Sequence, residues 1–188
     1  LDAARGDIAV AAQWGPRSKP QVPQYEAKWR AMKLHAEGAS MDAAEKRRLY
    51  EEALAFLDEA QRRQPNLGYI ASARATLYIV AQSQKIIADG AAKAIPELQK
   101  VLKADPINLD ARISLAGIHI KNGDMRLALS VLEEGLRWPR PRGQPDLNFL
   151  VATAQLRRQL GDEAGYNQLI NDALARAKSY GLTRPRGK

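Results

Sequence analysis

Apolar positions along this chain recur at a spacing that belongs to helices. A small residue is followed four positions later by a large apolar one, three later by another small one, and five further on by proline. Ala4, Ile8, Ala11 and Pro16 keep this spacing, as do Ala53, Leu57, Ala60 and Pro65, and Ala94, Leu98, Val101 and Pro106. Ala128, Leu132 and Gly135 follow it with Pro139 one residue early, and Tyr166, Ile170 and Ala173 form a weaker copy with Lys178 in the proline position. Steps of four and three place these side chains on one helical face. The proline then stops the helix, because it lacks an N–H and disfavours helical geometry in the residue before it. Each copy therefore predicts the second helix of a hairpin. Its small residues let the neighbouring helix approach while the large one fills the space between, which suits stacked pairs that cannot bury their apolar faces alone.

The first helices are read between these copies. Asn108 is expected to cap a helix carrying Ile113, Leu115, Ala116, His119 and Ile120, and Asn122-Gly123-Asp124 to turn the chain, with Gly123 left-handed and Asp124 as the next cap. Asp146 should open a helix with Leu147, Leu150, Val151, Ala154 and Leu156, and Gly161-Asp162 repeats the turn 38 residues after Gly123. Upstream, a helix from Gln24 to about Ala36 carries Tyr25, Trp29 and Met32 on its buried stripe and ends at Gly38. Asp42 begins a long helix through Tyr50 and Phe56 to Arg63, and another from Leu67 to about Ala88 buries Ile70, Ala73, Leu77, Val80 and Ile87. Ala53 and Ala94 are 41 residues apart against 34 for Ala94 and Ala128, so the upstream hairpins should be longer by about two helical turns.

The expected organisation is the second helix of a truncated repeat over 1–16, a proline-rich connector over 17–23, a helical repeat domain of about four hairpins over 24–180, and a basic, disordered tail over 181–188. The chain starts at Leu1 without a basic-then-apolar leader and reads as a processed chain or an excised fragment.

These residues resemble the tetratricopeptide repeat family, most closely from Pro106 to Pro139. Leu115 and Ala116 with His119 match its first-helix pattern, and Ala128, Leu132 and Gly135 its second. His119 stands where tyrosine is usual and Arg112 where tryptophan is usual, so the repeats are divergent. The resemblance implies an all-α fold, an α-α superhelix in which antiparallel helix pairs form a right-handed solenoid. It also implies that first helices line a concave face that receives a protein or peptide. By position that face would be Asp110, Ile113, Gly117, Ile120 and Lys121, then Asn148, Val151, Gln155, Arg158 and Gln159. Ile113, Ser114 and Gly117 occupy the places of the lysine, asparagine and arginine with which some members hold a peptide carboxylate, so that mode is not expected.

Composition agrees with a helical chain: apolar residues make up 45% but aromatics only 6%, and Ala, Leu, Arg, Glu, Gln and Lys dominate. No uncharged stretch is longer than the one between Arg74 and Lys85, which is far shorter than the roughly 20 residues that span a bilayer. No membrane insertion by this segment is expected. Cysteine is absent, which excludes disulfides and thiolate chemistry and leaves cytoplasmic and periplasmic locations both open. The formal charge is +8, dispersed except for Arg137 to Arg142 and Arg184 to Lys188.

The sequence carries no catalytic constellation. His35 and His119 lie on different repeats with no carboxylate at ligand spacing, so no metal is expected; His119 reads as a core substitute for tyrosine and His35 as a surface residue. Glu51-Glu52 and Glu133-Glu134 are adjacent on helices and diverge, which suits a solvated face. No glycine-rich phosphate loop or nucleophile elbow is present, and no cofactor is implied. Trp14, Trp29 and Trp138 are too widely spaced to form a stacking platform; Trp138, with Arg140 nearby, is the accessory contact to test, against the plainer reading of core packing. The leading expectation is a non-enzymatic scaffold that binds a partner protein or peptide, of the kind found in bacterial multiprotein assemblies. A basic module for nucleic acid or an anionic polymer, and a regulatory domain of a larger enzyme, are the alternatives. Oligomeric state is left open.

Overall fold

The structure, a computed structural model, describes residues 22–64, 68–140 and 142–182. The first repeat copy, most of the connector, and residues 183–188 lie outside the described residues. Those described form eight α-helices and no strand, so the all-α helical-repeat class read from the sequence is the class observed. The chain divides into two compact units after Ala104.

In the first unit α1 spans Val22–Glu37, a 3-10 turn Gly38–Ser40, α2 Ala43–Arg63, α3 Gly68–Ser83 and α4 Gly90–Ala104. Helix α1 packs on α2, α3 on α4, and both α1 and α2 touch α3. The start at Val22 places Pro23 in the first turn of α1, where its missing N–H leaves no bond unmade. Asp42 caps α2 by accepting the Glu45 N–H at 2.8 Å. The repeat positions do what their spacing requires: Ala53, Leu57 and Ala60 are buried against Ala31, Leu34, Ile70 and Leu77, and Ala94, Leu98 and Val101 are buried on α4.

Two upstream expectations are corrected. Helix α1 turns Ala27, Ala31 and Leu34 inward together with Trp29, whereas Tyr25 and Met32 are exposed. Helix α3 also stops at Ser83 and not near Ala88. Lys85 takes a left-handed conformation, φ 58°, and the Ile86 N–H reaches back to the Ala81 carbonyl while the Lys85 N–H bonds Gln82. That pair of bonds closes a helix on a left-handed residue. It turns the chain early enough to bury Ile86, and part of the extra spacing between Ala53 and Ala94 is therefore connection, not helix.

In the second unit α5 spans Leu109–Lys121, α6 Met125–Leu136, α7 Gln144–Gln159 and α8 Glu163–Ser179. Helices α5 and α6 pair, α7 and α8 pair, and α7 also touches both α5 and α6. Asn108 caps α5 through the Ala111 N–H at 3.0 Å, and Asp162 caps α8 through Gly165 at 2.8 Å. Asp124 stands at the N-terminus of α6 but makes no side-chain cap bond. The matching turns at Gly123 and Gly161, both at φ 86°, close α5 and α7 with the same bond pair seen at Lys85.

Ala128, Leu132 and Gly135 are buried as expected, but on α8 the buried set is Gly165, Leu169 and Ala173. Gly165 and Leu169 take the places that the weak last copy gives to Tyr166 and Ile170, each one residue later and only partly buried. Gly165 begins the set because a Cβ there would collide with the Asp162 carboxylate and the Arg157 guanidinium.

Candidate binding groove

Arg112 shows how the divergent repeat is held together. It occupies the place of the usual tryptophan and is almost completely buried. Its guanidinium donates to the Pro106 carbonyl at 2.9 and 3.0 Å, to the Val131 carbonyl at 3.1 Å and to Glu134 at 3.1 Å. Phe149, fully buried, lies close by; a Cβ on Gly135 would stand 2.6 Å from its Cζ and 2.7 Å from the Arg112 Cδ. An aromatic ring from α7 and the stem of an arginine thus fill the volume of a tryptophan, and the guanidinium is bonded by the Pro106 and Val131 carbonyls and the Glu134 carboxylate. His119 is buried and His35 exposed.

With α5 fixed in this way, its remaining face and that of α7 enclose a groove of about 210 Å³ lined by Ile113, Ala116, Gly117, Ile120, Leu132, Ala152, Gln155, Leu156 and Gln159. None of these residues is charged. Ile113 and Ile120 are 36% and 40% exposed, unusual for isoleucines on a helix that buries its other large apolar side chains. Gly117 lies between them, in mid-helix, and a Cβ there would meet nothing within 4 Å. Most buried glycines here are small because a neighbour needs the space, as at Gly135; at Gly117 the space is empty.

Ile113, Gly117, Ile120, Gln155 and Gln159 are thus brought together on one surface. Asp110, Lys121, Asn148 and Arg158 are exposed on the same two helices but do not line the groove, and Val151 is partly buried. Asn148 accepts a hydrogen bond from Gln144 at 2.8 Å, and the Arg158 guanidinium lies over the Tyr166 ring at 4.8 Å. Ala116, Leu132, Ala152 and Leu156 complete the walls; sequence reasoning assigned these to the core or passed over them, because period alone does not separate the bottom of a groove from a buried face.

The accessory pair is separated. Trp138 is 42% exposed, against the plainer reading of core packing. Arg140 turns inward: it bonds the buried Asp146 at 2.6 Å and the Leu136 carbonyl at 3.1 Å. Asp146, read as the start of α7, is the fully buried centre of a network that also accepts the Tyr180 hydroxyl at 2.8 Å and Arg176 at 3.2 Å. Burial by itself would raise the pKa of this carboxyl, but the hydrogen bonds from Arg140 and Tyr180 and the charges of Arg140 and Arg176 outweigh it and leave the value lowered.

Among the described residues of the first unit the exposed aromatics are Tyr25 on α1 and Tyr69 on α3. Burial, and then the neighbouring Tyr25, raise the pKa of Tyr69, so the two rings share a neighbourhood. Among the described residues no three His, Asp or Glu side chains are placed to hold a metal ion, and no helix is long and apolar enough to cross a membrane.

A family model of the tetratricopeptide repeat matches residues 88–144. No curated protein matches the chain by sequence. Among solved structures, MamA MSR-1 superposes with a TM-score of 0.54 at 14% identity, covering 95% of this chain and 89% of that one. The MamA RS-1 ArsTM double mutant gives 0.52 at 12% identity over 95% and 94%, and MamA AMB-1 gives 0.51 at 15% identity over 98% and 86%. These likenesses concern the fold. The repeat resemblance read from Pro106 to Pro139 therefore lies inside a matched tetratricopeptide segment, and a helical-repeat fold of this type supports a protein-interaction scaffold in general.

Proposed function

We propose that the chain is a non-catalytic scaffold, part of a bacterial multiprotein assembly, whose second unit receives an uncharged apolar anchor of a partner protein or peptide in the groove between α5 and α7. Gly117 carries this reading. A mid-helix glycine destabilises by about 0.5–1 kcal/mol relative to alanine. Where a neighbour needs the room, packing offsets that cost, but nothing packs within 4 Å of the Cβ position at Gly117 beyond its own turn of helix. What glycine does here is keep the groove open.

The lining defines the occupant. Ile113, Ala116, Ile120, Ala152 and Leu156 offer apolar contact, and only the amides of Gln155 and Gln159 offer hydrogen bonds. A charged group placed there would lose its hydration without a counter-ion. The partner's anchor is therefore a large apolar side chain, with main-chain N–H and C=O groups within reach of the two glutamines. Asp110, Lys121 and Arg158, like the neutral Asn148, stand outside the lining, and charges placed there influence association rate more than affinity.

Selection of displayed peptides against the chain, with Gly117→Leu as counter-target, tests this. The wild type should enrich peptides with a recurrent large apolar residue, and Gly117→Leu, which projects into open space and remains folded, should lose them. Peptides that bind both proteins equally, or no enrichment at all, would overturn the assignment.

A further inference from the structure

The basic stretch from Arg137 to Arg142 is tied to the end of α8 by the fold of the second unit. The Arg142 guanidinium lies over the Tyr180 ring at 5.2 Å and reaches the Ser179 carbonyl at 3.5 Å. The loop before α7 therefore packs against the end of α8.

Not every cation at this end is available. Arg140 is held by Asp146, and Arg176 by Asp146 and Asp172. Glu134, three residues before Arg137, is paired with Arg112. Arg137, Arg142 and Lys178 remain; all are exposed, and none makes an ion pair among the described residues. Large apolar side chains are exposed among them: Trp138 on the loop, Leu174 one turn before Lys178, and Leu182 just beyond α8.

We propose that this end of the second unit is a peripheral docking surface for an anionic lipid bilayer. Trp138 and Leu182 enter the headgroup region, and Arg137, Arg142 and Lys178 face the phosphates. The mixture of groups favours this occupant. Trp is amphipathic and settles at headgroup depth, leucine gains from leaving water, and an anionic leaflet attracts each Lys or Arg held near it. A nucleic-acid strand would make no use of the leucines, and one Trp is not a run of stacking platforms. An acidic peptide is better received in a groove than on a loop and a chain segment beyond a helix. The surface is separate from the α5–α7 groove, so the scaffold could hold a partner while attached.

Flotation of the full chain with vesicles of phosphatidylcholine alone, or mixed with phosphatidylglycerol, tests the proposal. Binding should require the anionic lipid and fall as salt rises. Arg137→Gln should weaken partition about fivefold and flatten its salt dependence. Trp138→Ala and Leu182→Ser should weaken it severalfold and leave the salt dependence unchanged. All three positions are exposed, and thermal melts matching the wild type would show that folding is intact. No partition to anionic vesicles, partition unchanged in all three variants, or displacement from vesicles by a single-stranded oligonucleotide at equal phosphate concentration would each overturn the assignment.

Discussion

Asp146→Asn tests the buried network directly. The wild-type carboxylate is fully buried and accepts Arg140 at 2.6 Å, Tyr180 at 2.8 Å and Arg176 at 3.2 Å. The amide keeps the volume and an acceptor for Tyr180, but it leaves the guanidinium of Arg140, whose side chain is only 5% exposed, as an uncompensated buried charge. Breaking a buried pair from one side costs about 3–5 kcal/mol. A domain of this size loses about 2–4 °C of Tm per kcal/mol, so the expected fall is roughly 6–20 °C. Arg140→Met should cost less, because Asp146 then retains two donors. The pH dependence has a definite sign. The pKa of Asp146 is lowered in the folded state, so its contribution is present above the unfolded carboxyl's pKa and is lost as pH falls through the folded one. Thermal unfolding followed by circular dichroism from neutral to acidic pH should show the gap between wild type and variant closing in acid. A variant within about 1 kcal/mol of wild type at neutral pH, or a gap unchanged in acid, would refute the reasoning, since surface substitutions alone stay within roughly 0.5 kcal/mol.

Two further substitutions test the backbone and packing arguments. Lys85→Gly should stabilise the chain by up to about 1 kcal/mol in denaturant titration, because a non-glycine residue pays about 1–2 kcal/mol in the left-handed region and glycine returns only part of that as unfolded-state entropy; destabilisation would show that the Lys85 turn is not strained. Gly135→Ala should destabilise by about 1–2 kcal/mol, since overpacking against the buried Phe149 and Arg112 exceeds the helix-propensity gain of about 1 kcal/mol, while Gly117→Ala should stabilise by about 0.5–1 kcal/mol. Equal signs at the two glycines in the same titration would contradict the space assigned around each.

What the chain's residues determined by themselves is local and periodic. The four-and-three spacing of Ala53, Leu57 and Ala60, of Ala94, Leu98 and Val101, and of Ala128, Leu132 and Gly135 named the buried faces of three second helices, because helical geometry leaves no other way to place those side chains. Asn108, Asp162, Gly123 and Gly161 marked caps and turns, since each acts within a few residues of itself. The groove was half legible: Ile113, Gly117, Ile120, Gln155 and Gln159 followed from repeat position, but its walls did not. Tertiary structure decided the rest. Tyr25 and Met32 yielded the inner face of α1 to Ala27, Ala31 and Leu34 because the side on which α2 and α3 meet the helix is set by their packing, which no local pattern contains. Asp146 had the look of a helix opener until Arg140, Arg176 and Tyr180, the last two more than two dozen residues away, surrounded it. Lys85 gave no turn signal because its left-handed conformation is imposed by burying Ile86, not by its own preference. Period and caps arise from bonds along one helix, whereas burial, pairing and strain arise from what a second helix brings to the same place.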